Sequence, residues 1–111
     1  LQYFYLHGPK NQKIECYDKY LYLKALIAFQ NDKYSESEKL CSQIIEGYEV
    51  EFKWILGFAY FIRGKSVEIL GDRNRAISDY KNAVKYLTQY PEYREAKELI
   101  QSPISEIINN R

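Results

Sequence analysis

The side chains that could do chemistry are few and scattered. His7 is the only histidine, and it sits in a turn-forming run, His7-Gly8-Pro9-Lys10-Asn11. A histidine in such a loop has no nucleophile or orienting carboxylate at motif spacing, so it reads as solvated. The two cysteines, Cys16 and Cys41, are too few for a disulfide framework and form no C-x-x-C pair. Two distant thiols, one imidazole and no H-E-x-x-H spacing cannot assemble a metal set. No G-x-S-x-G nucleophile motif is present. Gly64-Lys65-Ser66 repeats the end of a phosphate-binding loop, but Ala59 stands where that loop needs its upstream glycine. The stretch also lies within a helical pattern. Asp72-Arg73-Asn74-Arg75 reads as a helix cap with solvated arginines, and Glu92, Glu95 and Glu98 with Arg94 and Lys97 read as a solvated face. An enzyme contained within the chain is therefore not expected, and neither is a cofactor or metal.

Size and charge narrow the field further. The 111 residues suffice for one domain with its own core. Sixteen Lys and Arg stand against fifteen Asp and Glu, so no basic face invites nucleic acid. The longest apolar run, 54–62, is too short to span a membrane, and no signal peptide opens the chain. Leu1 is the first residue and no Met occurs anywhere, which suggests a piece of a longer protein. The compartment stays open, with the cytoplasm the default. Cys41 falls on the inner stripe of a helix and reads as a buried free thiol. A Cys16–Cys41 bridge is the alternative if the parent protein is exported. Twelve tyrosines are a heavy load of rings with one polar end, suited to helix seams and to interfaces; the seam reading is preferred.

The elements that must position these residues are helices. Residues 1–16 do not read as one: LQYFYL and KIEC around a Gly-Pro turn could pair as a hairpin, or LQYFYL could end a preceding element. A first helix is expected near Tyr17–Gln30, apolar on more than one side, and a second, amphipathic one near Tyr34–Gly47. A third starts near 50–52 and continues to Leu70. Gly71 stops it, and Asp72 caps a fourth over 73–90 that Pro91 ends. The fourth carries one apolar stripe, Ala76, Ile77, Tyr80, Ala83, Val84 and Leu87. A fifth, near Glu92–Gln101, puts Tyr93, Ala96, Leu99 and Ile100 on one face, and Ser102-Pro103 suits a further short helix to about Ile108. Gly64, Ala76 and Ala83 sit where helices must approach closely.

The two helix pairs superpose at an offset of 39 residues: Ala25 on Gly64, Tyr34 on Arg73, Ser37 on Ala76, Cys41 on Tyr80, Ile44 on Ala83. Tyr60, Gly64, Gly71, Ala76, Tyr80 and Ala83 follow an aromatic, small, turn glycine, small, aromatic, small order that resembles the tetratricopeptide repeat family. The match is best over 57–91, and Pro91 arrives late for the family's closing proline. The step is longer than the family's period of about 34 residues, and Asp32 and Ile44 replace the turn glycine and the last small residue in the first pair. The stretch 71–86 followed by 92–103 also looks like the last repeat of some larger bacterial proteins. The fold this implies is all-α: antiparallel helix pairs stacked as a short superhelix over 17–111, closed by a polar C-terminal helix and preceded by the non-helical segment 1–16.

The resemblance implies partner binding on the first helix of each pair, where tetratricopeptide proteins line a concave groove. At the matched positions that groove would present Lys19, Tyr22, Leu26 and Phe29, then Phe58, Phe61, Lys65 and Glu68. The plainer reading makes Tyr22, Leu26, Phe58 and Phe61 core beneath residues 1–16, and for the aromatic ones it is preferred. Only Lys65 would suit a peptide carboxylate, so a chaperone-type carboxylate clamp is not expected. Two functions from different classes follow: an interaction module that binds a protein segment or a neighbouring domain of its parent through an apolar groove, or a C-terminal accessory or dimerising domain of a larger enzyme such as a hydrolase or peptidase. Apolar surface on the first helix must be covered, either by residues 1–16 or by a second chain in a homodimer.

Overall fold

The computed structural model describes residues 17–47 and 52–104. Five α-helices account for most of them: α1 Tyr17–Gln30, α2 Tyr34–Gly47, α3 Lys53–Ile69, α4 Arg73–Tyr86 and α5 Glu92–Gln101. No strand occurs among the described residues. The fold is all-α. The hairpin or preceding element expected for 1–16, Cys16 with them, and the helical turn expected beyond Ile104 lie outside the described residues.

Each helix packs against the next, and α1 also packs against α3. Short connections make the neighbours antiparallel. The stripes explain the order. On α2 one face is buried, Ser37, Leu40, Cys41 and Ile44. On α3, Ile55, Ala59 and Ile62 bury toward α1 and α2 while Phe61 and Val67 bury toward α4 and α5. Being apolar nearly all round, α3 can sit in the middle with a core on each side.

The two turns inside the pairs are the same structure. Asp32 adopts φ 62° and Gly71 adopts φ 105°. Asp32 N–H donates to Phe29 C=O at 3.1 Å and Lys33 N–H to Ala28 C=O at 2.8 Å. Exactly 39 residues on is the same pair: Gly71 N–H to Glu68 C=O at 3.0 Å and Asp72 N–H to Val67 C=O at 2.8 Å. This is the Schellman closure, which needs one residue in the left-handed region. Asp tolerates that conformation better than most side chains, which is why Asp32 can stand where the glycine stands.

The fourth helix is shorter than the sequence suggests. It ends at Tyr86, with Leu87 as its C-cap donating to Ala83 C=O, and Tyr90 N–H closes a turn on Leu87 C=O. Leu87 is fully buried against Gly57, where a Cβ would lie 2.8 Å from the leucine Cδ2. Seating Leu87 there stops the helix early, and Pro91 serves to open α5 rather than to close α4. Asp72 does cap α4, its Oδ1 accepting from Arg75 N–H at 3.1 Å.

Polar locks join the helices. Arg63 of α3 holds Asp79 of α4 through two bonds of 2.9 Å, and its remaining nitrogen reaches back to Ser42 Oγ at 3.1 Å and Glu46 at 3.3 Å on α2. Burial opposes the guanidinium charge, and the Asp79 bonds and charge outweigh it, so the pKa is raised. Glu68 accepts from Tyr80 Oη at 2.7 Å, Arg73 at 3.1 Å and Ile104 N–H at 2.9 Å. Arg73 also donates to Ile100 C=O. Of the two arginines expected to be solvated, Arg73 is thus bound between α3 and α5, because the carboxylate it needs projects from the preceding turn, and Arg75 pairs with Glu38 at 3.0 Å. Burial first, then the Glu68 bond, pushes the Tyr80 hydroxyl up.

Candidate partner-binding groove

A chain of rings in contact runs along α1 and α3, from Phe52 just ahead of α3 to Tyr90 between α4 and α5. Tyr22 meets Trp54 edge-on at 6.2 Å and Phe58 at 5.9 Å; Trp54 meets Phe52 at 6.4 Å and Phe58 at 6.0 Å; Phe58 meets Tyr90 at 5.4 Å. These separations and the mostly edge-on geometry are those at which ring quadrupoles attract. Lys19 ends the row, its Nζ 4.7 Å from the Phe52 centroid. Phe52 and Tyr90 are exposed, while Tyr22, Trp54 and Phe58 are partly buried. Burial, with the Glu92 charge second, raises the Tyr22 hydroxyl pKa.

The eight residues expected to line the groove therefore fall into separate places. Lys19, Tyr22 and Phe58 join the aromatic row. Leu26 is half-buried against the first core cluster. Phe29 and Phe61 flank Lys65, whose Nζ lies 5.4 and 5.0 Å from their centroids and 3.1 Å from Glu95. Phe61 itself is core, 4 % exposed. Glu68 turns inward to its three donors, its side chain 8 % exposed, and presents nothing to a groove. Lys65 is already paired and sandwiched between rings, so no uncommitted cation stands in the place where a peptide carboxylate would need one.

Three members of the row, Phe52, Trp54 and Tyr90, were not among the expected site residues. Trp54 and Phe58 are one helical turn apart, a spacing that could have joined them. Tyr90 is near them only because α4 ends early. Nor was the Arg63–Asp79 lock expected, although an arginine inside an otherwise apolar helix is a signal that a buried partner exists.

Cys41 is a buried free thiol; burial pushes its pKa up to about 12, which removes the thiolate that nucleophilic or metal chemistry needs. Among the described residues no cluster of His, Cys, Asp or Glu could hold a metal ion. Ser66 donates to Ile62 C=O within its own helix and is fully buried. A depression of about 460 Å³ lined by Tyr93, Arg94, Lys97, Glu98 and Gln101 runs along α5 alone, away from the aromatic row. No helix among the described residues is long and apolar enough to cross a membrane. No family model, curated protein or solved structure matches the chain.

Proposed function

We propose that this chain is a protein-interaction module of the tetratricopeptide kind, which takes an apolar segment of a partner protein, or of its own parent chain, against the aromatic row. The observation that carries the reading is the row itself: five rings in a continuous contact chain, Tyr22, Trp54 and Phe58 on the first helices of the two pairs and Phe52 and Tyr90 beside them, the last two open to solvent. Rigid rings with few rotamers to freeze give contact area at low entropic cost, which is why such residues anchor interfaces. The repeated turn supports the family resemblance, since it makes each pair a copy of one unit.

Trp54 is the only tryptophan and lies within the row, so its fluorescence is a built-in reporter. Peptides selected from a random library on the intact chain should be apolar, shift Trp54 emission on binding, and lose roughly tenfold or more in affinity to the Phe52→Ala, Tyr90→Ala double variant. Both substituted residues are exposed, and a circular-dichroism melt checks that the variant keeps its fold. Selected peptides that leave Trp54 emission and the double variant's affinity unchanged would place the binding elsewhere and end this reading.

A further inference from the structure

The internal repeat identifies what fits the outer side of α1. Leu23 and Ile27 are 55 % and 56 % exposed. Thirty-nine residues on, at the same register of α3, stand Ile62 and Ser66, 5 % and 0 % exposed. Ile62 is covered because it shares a core with Leu40, Cys41 and Ile44 of α2, the helix of the preceding pair. Between them Arg63 reaches Ser42 and Glu46 of that helix. The residue in register with Arg63 is Lys24, also cationic and exposed.

From this correspondence we propose that the Leu23–Lys24–Ile27 face of α1 is a docking surface for an amphipathic helix of the α2 type. That helix would carry an aliphatic stripe to cover Leu23 and Ile27, and a hydroxyl or carboxylate placed to meet Lys24. The outer side of α5 offers Arg94, Lys97 and Gln101, which are exposed and polar, so α5 of a second copy has no aliphatic stripe to give. The surface is distinct from the aromatic row and does not depend on the function proposed for it.

The test titrates the full chain into a fluorescently labelled, lactam-stapled peptide of the α2 sequence Tyr34–Gly47 bearing Cys41→Ala, followed by anisotropy. The staple is needed because a free helix of this length is marginal in water. Saturable binding is expected, weakened roughly tenfold or more by Leu23→Asp or Ile27→Asp and several-fold by Lys24→Glu. A peptide carrying Glu46→Lys should recover the affinity lost to Lys24→Glu. All three positions are exposed, and circular-dichroism melts within a few degrees of the parent confirm that the variants fold. Absence of saturable binding, or binding indifferent to Leu23→Asp and Ile27→Asp, overturns the proposal. So does concentration-dependent dimerisation of the chain alone that Leu23→Asp abolishes, which would give the face to a second copy. Binding seen only after removal of residues 1–16 overturns it too, by giving the face to the chain's own N-terminal segment.

Discussion

The first helix pair, α1 and α2, and the second, α3 and α4, share one backbone design and fill it differently. Where the first pair packs Phe29 edge-on against Tyr34 at 5.4 Å, the second sets Glu68 against Arg73 at 3.1 Å. The first places Ala25 and Cys41 at the close approach; the second removes the Cβ at Gly64 and inserts Tyr80. Lys24 is exposed in the first, and its counterpart Arg63 is locked to Asp79 in the second. A repeat thus holds its turns constant, since these set helix direction, while each close approach is free to trade size for size or apolar contact for a charged pair. The second pair is flanked on both sides, and it is there that burial gives charged locks their strength.

The comparison breaks hardest at the Arg63–Asp79 lock. Asp79→Ala leaves a nearly buried guanidinium without its bidentate partner and should cost about 3–5 kcal/mol, whereas Lys24→Ala in the first pair should cost under about 0.5 kcal/mol. Urea midpoints of the two variants measure the contrast, and equal costs would mean the charged lock adds nothing to the second pair. Next is the small-for-large exchange. A Cβ on residue 64 would lie 2.6 Å from the Tyr80 ring, so Gly64→Ala should destabilise by about 1–3 kcal/mol despite alanine's better helix propensity. Ala83→Leu, at a fully buried seam position, belongs in the same range.

A smaller effect is expected at the turn. Gly71 holds φ 105°, and Gly71→Ala should cost about 1–2 kcal/mol by thermal denaturation, the strain of a side chain in that region. Cys41 gives the first pair a pH dependence that begins near pH 9, below the tyrosine range in which Tyr80 of the second pair acts in the same direction. Its thiol titrates near 9.0 when unfolded and near 12 when buried, so between these values the unfolded chain binds fewer protons and stability falls as pH rises. From pH 9 to 10 the loss should approach but not exceed about 1.4 kcal/mol for this group, and Cys41→Ala should flatten that limb of the melting curve. The smallest effect is the mirror of Gly71: Asp32→Gly relieves the left-handed strain and should stabilise by under about 1 kcal/mol, reduced by loss of the Tyr34 hydroxyl bond to Asp32. A clear loss instead would show that the aspartate side chain matters more to this turn than backbone freedom.

Local patterns in the chain determined the helices and their buried faces. Stripes at helical spacing, the Gly71-Asp72 break and the 39-residue offset specify five helices, four of them in two like pairs, because periodicity and turn chemistry act within a few residues. For the same reason Lys19, Tyr22 and Phe58 could be named from spacing on their own helices. What remained depended on partners distant in the chain. Glu68 turns inward because Tyr80, Arg73 and Ile104 wait there with donors. Tyr90 joins the aromatic row because Leu87 seats on Gly57 and ends α4 early. Arg63 becomes a cross-brace because Asp79 and Ser42 reach it from opposite sides. Helical spacing says which residues share a face; which of them stay in water is decided only when the neighbouring helices arrive, since burial is a property of the packed assembly.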